Sequence, residues 1–203
     1  PIVAVAVATG VVGLLLMPPS DTVATEEDAG RYAKCMSLAQ SEPERARQES
    51  LSWSRYGGGD AADHCLAVAL LSLGQYALSA QSLEALSERT KKTRPRLSVQ
   101  LLGQAANAWL IAGKPKAAYA AQSRALKERP GDVDILIDRS IALASSANYW
   151  EAIDDLNQAI DLAPNRVDAL IFRAAAYRRL ETLELAQDDV VRALDLAPGN
   201  VDG

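Results

Sequence analysis

The segments ALKERPGDVD (125–134), AIDLAPNRVD (159–168) and ALDLAPGNVD (193–202) are one phrase written three times. Pro130, Pro164 and Pro198 recur every 34 residues, as do Ala118, Ala152 and Ala186, and Ala125, Ala159 and Ala193. A fixed period of this length marks a repeated supersecondary unit rather than a closed globule. Each unit carries two amphipathic helical stretches and closes on Pro with small or polar neighbours, which stop a helix.

Numbering a unit from Val99 places Leu102, Ala106, Trp109, Gly113, Ala118, Ala125 and Pro130 at positions 4, 8, 11, 15, 20, 27 and 32. From Val133 the matching residues include Leu136, Ser140, Leu143, Tyr149, Ala152, Leu156, Ala159 and Pro164. From Val167 they are Leu170, Ala174, Tyr177, Ala186, Val190, Ala193 and Pro198. Small residues stand where two helices cross closely, and large ones fill the gaps beside them. This pattern resembles the tetratricopeptide repeat. Gln122 departs from it at position 24, where a large residue is usual, and so do Arg139 and Arg173 at position 7, where Leu is usual.

An earlier unit starts at Asp60 and shows Ala67, Leu70, Gly74, Tyr76, Ser79 and Leu83 in family places, but it lacks the closing Pro. The units are therefore 60–93, 99–132, 133–166 and 167–200, with 94–98 as an insertion. The basic run Arg89–Arg96 reads as a solvated loop, or as a docking patch for an acidic partner or lipid headgroups. Residues 26–59 read as a degenerate helix pair, with Pro43 opening its second helix and Gly57-Gly58-Gly59 ending it. The resemblance implies an all-α, right-handed solenoid of about four to five helix pairs.

Residues 1–17 (PIVAVAVATGVVGLLLM) carry no charge and end against Pro18-Pro19, with 18–25 as a linker. As a helix the run would span about 25 Å, just short of the roughly 30 Å hydrocarbon core. It reads as a membrane anchor in the lipid bilayer or as the apolar part of a secretory signal cleaved near Thr22-Val23-Ala24. Both readings export the rest of the chain: to the periplasmic side of a bacterial inner membrane, or to the soluble periplasm after cleavage.

The 203 residues carry 21 Lys+Arg against 26 Asp+Glu, for a formal charge of −5, which argues against a nucleic-acid partner. One His and two Cys leave little material for a metal site or a nucleophile–base pair, so no catalytic residue, metal or cofactor is expected. His64 beside Asp63 makes no dyad, since adjacent helix residues do not face each other. Asp154-Asp155 and Asp188-Asp189 read as solvated outer-face residues, and Trp53, Trp109 and Trp150 as core.

In a solenoid, Cys35 and Cys65 fall on neighbouring first helices. An exported chain with two such thiols is expected to pair them, the alternative being two buried free thiols. The resemblance also implies that positions 2, 5, 9 and 12 line the concave groove. There stand Ala61, His64, Val68 and Leu71, then Gln100, Gly103, Asn107 and Leu110, then Asp134, Ile137, Ile141 and Ala144, then Asp168, Ile171, Ala175 and Arg178. Only Asn107 suits the clamp by which some family members hold an acidic tail. The lining is otherwise largely apolar, which suits a hydrophobic polypeptide segment, or else its residues pack between repeats. Val190, Val191 and Leu194 are expected to form an exposed face on the last helix, covered either by further residues downstream or by a partner.

Together these features describe a non-catalytic, membrane-tethered scaffold on the extracytoplasmic side. The expected partners are proteins, as for an accessory subunit of a respiratory, photosynthetic or envelope membrane complex. The alternative is a periplasmic assembly chaperone that holds client segments, as in cytochrome c or envelope biogenesis.

Overall fold

The structure is a computed structural model and describes residues 26–198. The candidate anchor 1–17, the linker 18–25 and the residues from 199 onward lie outside the described part. Among the described residues ten helices follow one another: α1 (Glu26–Ser41), α2 (Pro43–Arg55), α3 (Gly59–Ser72), α4 (Tyr76–Thr90), α5 (Pro95–Ile111), α6 (Pro115–Glu128), α7 (Val133–Ser145), α8 (Tyr149–Leu162), α9 (Val167–Arg179) and α10 (Leu183–Leu196). None of them is long and apolar enough to cross a membrane. Each helix packs on the next in the chain, and first helices also touch across pairs, as α1 does with α3 and α7 with α9. The result is a linear stack of five helix pairs.

Local chemistry fixes the helix ends. Pro43, Pro95 and Pro115 open α2, α5 and α6, where a missing N–H costs nothing. Asp132 caps α7 by accepting from the Asp134 and Ile135 amides. Within four of the pairs, the turn after the first helix needs a left-handed residue at position 15. Gly74 (φ 73°) and Gly113 (φ 68°) supply it without strain. Ala147 (φ 61°) and Glu181 (φ 60°) take the same conformation with a Cβ, at about 1–2 kcal/mol each.

The repeated small residues lie at the helix crossings: Ala106, Ala118, Ala125, Ser140, Ala152, Ala159, Ala174, Ala186 and Ala193 are all buried. Leu102, Leu136, Leu156 and Leu170 fill the space between them, each worth about 1.5–3 kcal/mol of burial. The residues 94–98 become structure rather than spacer, because Pro95–Ser98 form an extra first turn of α5. Ser98 then meets Ser87 of α4 through a buried hydroxyl pair at 2.7 Å.

Two expectations are corrected here. Asp155 (6% exposed) and Asp189 (5%) are not solvated. Each accepts a bidentate bond from the Arg at position 7 of its own pair: Arg139 to Asp155 at 2.6 and 2.7 Å, and Arg173 to Asp189 at 2.6 and 2.8 Å. The same guanidinium reaches back to the preceding pair, Arg139 to Ser123 and Arg173 to Asn157. An ion removed from water needs this complete pairing to remain charged. The other correction is Trp150, which is 59% exposed at the first turn of α8. The equivalent places in the neighbouring units hold Lys116 and Glu184, both exposed, so the position faces solvent there too. Trp53 and Trp109 are buried.

The first pair is fastened differently. Cys35 of α1 and Cys65 of α3 form a disulfide, with their Cα atoms 6.1 Å apart. Gly58 passes under the Trp53 ring so closely that a Cβ there would fall 2.6 Å from it. The exposed side of α2 carries Arg–Glu pairs three and four residues apart, Arg45 with Glu42 and Glu49, and Arg47 with Glu44.

Candidate functional site

The first helices α3, α5, α7 and α9 present their positions 6, 9 and 12 along one side of the stack, with the second helices as floor. Where α7 and α9 diverge over α8, a notch of about 280 Å³ opens. Ile141, Ala144, Leu156, Phe172 and Ala175 line it, with Tyr149 and Arg179 at the rim. Arg179 lies 5.4 Å over the Tyr149 ring, a cation–π contact that holds the rim residue in place.

The fold makes the same notch once more between α3 and α5. Val68, Leu71, Leu83, Asn107, Ala108 and Ile111 line a cavity of about 270 Å³. Val68 and Leu71 hold the positions of Ile141 and Ala144, and Asn107 and Ile111 those of Ala175 and Arg179. Met36 of α1 adds a wall, so this notch depends on the disulfide-linked first pair.

Between these two notches the equivalent place, under α5 and α7, is polar. Its floor is Gln122, 1% exposed, which donates from Nε2 to Asp138 at 3.2 Å. Gln122 Oε1 is buried without a partner. Burial pushes the Asp138 carboxyl above the usual carboxylate range. The Gln122 bond opposes that shift, while nearby Asp134 and Asp132 add to it.

The expected groove residues do not all share this surface. Ile137 is corrected: at 4% exposure it is core, because α9 follows and closes Leu170 and Ala169 around it. Ile171, one unit later, keeps 44% of its surface beside Arg178, Leu183 and Val190 in an open hollow between α9 and α10. Leu110 and Gly103 are half-buried and Ala144 lines its notch. His64 is half-buried and its ring nitrogens meet Tyr32 Oη at 2.7 Å and Gln104 Oε1 at 2.9 Å, bridging three first helices. Val190, Val191 and Leu194 are exposed on α10.

Much of the basic run is occupied internally. Arg89 pairs with Asp60 and Asp63, Arg94 with Asp60, and Lys91 with Glu128. Sequence reasoning missed Phe172, Tyr149 and Asp138, which lie at positions 6 and 17. Position 6 of the α3/α5 notch is Gln104, also a lining residue, so the structure adds position 6 to the groove positions that the resemblance implies.

No family model and no curated protein sequence matches the chain. Solved structures do. MamA 41-end from Desulfovibrio magneticus RS-1 aligns over 87% of this chain and 98% of its own, with a TM-score of 0.68 and 16% identity. YrrB, described as a TPR protein with an unusual peptide-binding site, aligns over 86% of this chain and 94% of its own, with a TM-score of 0.63 and 16% identity. The chain has the tetratricopeptide-repeat fold. At this identity the likeness concerns backbone architecture alone, so the residues lining the groove are argued from this chain. In the tetratricopeptide-repeat solenoid described here they are mainly apolar at both ends and polar in the middle.

Proposed function

We propose that this chain is a non-catalytic scaffold that binds a segment of a partner protein along the groove of its first helices. The observation that carries this is the pair of equivalent apolar notches, one lined by Val68, Leu71 and Ile111 and the other by Ile141, Phe172 and Ala175. Exposed apolar hollows set in a rigid helical frame are what a bound side chain fills. YrrB, with the same backbone architecture, is named for a peptide-binding site.

The scaffold acts on the extracytoplasmic side, tethered to a membrane by residues 1–17, as an accessory subunit of a larger membrane complex. The Cys35–Cys65 pairing supports this, since disulfides persist in oxidising compartments. So does the uncharged run that precedes the solenoid.

The test is purification of the full chain from native membranes in mild detergent, with quantitative mass spectrometry. Membrane proteins retained at fixed ratio, and lost with Ile141→Asp plus Phe172→Asp at unchanged helicity, are the expected result. Partners retained by that variant would place binding elsewhere. A substoichiometric client set would favour a transient chaperone.

A further inference from the structure

The two apolar notches lie two repeats apart, and the polar place between them completes a pattern. Packed helix axes lie about 8–10 Å apart and α7 touches the first helices α5 and α9 only lightly, so the notches are separated by at least roughly 20 Å. An extended chain covers that distance in about six residues. Midway stands Asp138 at position 6, the position from which Phe172 and Gln104 line the flanking notches. Among the described residues no cation comes within ion-pair distance of it. Arg129 is held by Asp132, Arg139 by Asp155, and Arg166 by Asp134 and Asp168. Behind it the buried Gln122 turns one amide atom to Asp138 and leaves the other, an acceptor, unpaired. The Arg166 charge acts on Asp138 only from beyond ion-pair distance and against Asp134 and Asp132, so the orphaned buried acceptor and the half-buried carboxylate beside it are short of hydrogen-bond donors and of a direct counter-charge.

We infer that the groove selects an extended partner segment in which two large apolar residues, about six residues apart, bracket a cationic residue seated on Asp138. The apolar side chains enter the notches under Phe172 and beside Ile111. The ammonium or guanidinium donates to the Asp138 carboxylate and toward Gln122 Oε1. A segment with Asp or Glu at its centre is rejected, because it adds a negative charge to Asp132, Asp134 and Asp138. This rests on the groove reading above and adds to it a sequence preference.

Random dodecapeptides displayed on phage and selected on the full chain test it, followed by fluorescence anisotropy with labelled Ser-Leu-Ser-Ser-Lys-Ser-Ser-Leu-Ser. The expected selection carries a central Lys or Arg between apolar anchors. Replacing the Lys of the labelled peptide by Glu should weaken binding at least tenfold. Asp138→Asn or Gln122→Leu should remove most of that discrimination, and Asp138→Lys should reverse it, all at unchanged helicity. Selected peptides that need Ile141 and Phe172 but carry no central cation would overturn this inference and leave the groove reading standing. Equal binding of the Lys and Glu peptides, or discrimination that survives Asp138→Asn, would overturn it as well. Peptides that bind independently of Ile141 and Phe172 would overturn both.

Discussion

The two ends of the described solenoid solve the same joining problem by different means. From α7 to α10 the joints repeat: Arg139–Asp155 and Arg173–Asp189 occupy the same positions, 34 residues apart, with the same bidentate geometry. At the other end α1–α2 carries no such pair and is fastened by the Cys35–Cys65 bond and by Trp53 seated on Gly58. Of the two units between them, α5–α6 shows a third solution, since Ala105 and Ala121 fill the positions of the Arg and Asp and are fully buried. A repeat therefore tolerates loss of the ion pair when both members go together. One ion without the other would leave a buried charge unpaired.

The largest expected effect comes from separating such a pair. Asp155→Ala leaves the Arg139 guanidinium largely buried and unpaired, and should lower unfolding free energy by about 3–5 kcal/mol in urea titration. Arg139→Leu combined with Asp155→Ala imitates the apolar unit and should recover most of that loss. If the double variant is no better than the single one, the equivalence with Ala105 and Ala121 fails.

Cys35→Ser with Cys65→Ser comes next. Opening a loop with a sequence separation of 30 should cost about 3–4 kcal/mol on chain-entropy grounds. Hydrogen exchange should rise first in α1 and α2 while α7–α10 keep their protection. Alkylation of the wild-type chain without reductant should leave its mass unchanged, and a shift for two labelled thiols would remove the covalent joint from the comparison. Gly58→Ala, which drives a methyl into the Trp53 ring, should cost about 1–3 kcal/mol by thermal melting.

Smaller effects sharpen the contrast between regular and irregular units. Ala147→Gly and Glu181→Gly should each stabilise by about 0.5–1 kcal/mol. They relieve the left-handed strain that Gly74 and Gly113 avoid, less the entropy a glycine adds to the unfolded chain. Asp138→Asn should gain about 0.5 kcal/mol at neutral pH. The native Asp138 carboxyl is raised, so its favourable contribution is present below the unfolded carboxylate range and is lost as pH rises through the native value. The gain from Asn should therefore vanish on acidification, which melts at paired pH values would show.

The stack itself was legible because Pro130, Pro164, Pro198 and the recurrent Ala positions form a one-dimensional signal. The joints were harder to read. Arg139 and Arg173 stood out as departures and Asp155 and Asp189 as repeated acids, yet their pairing links two helices whose facing sides no spacing rule within one helix specifies. The readable clue was joint: both members keep a separation of 16 in two units and both become Ala in a third. Ile137 and Ile171 share one position but differ in exposure because α9 covers the former. That is a property of the neighbour, invisible in the residue. Asp138 went unnoticed because position 6 was not among the groove positions that the resemblance implies.

Arg139 and Arg173 each belong to two terms of a linear array at once: to their own unit through Asp155 or Asp189, and to the preceding junction through Ser123 or Asn157. In a nearest-neighbour description, strengthening junctions relative to units lengthens the stretch of chain that melts together. The segment from α6 to α10 is therefore expected to melt as one cooperative block, whereas α1 and α2, which lack such joints, rely on the Cys35–Cys65 bond to melt with it.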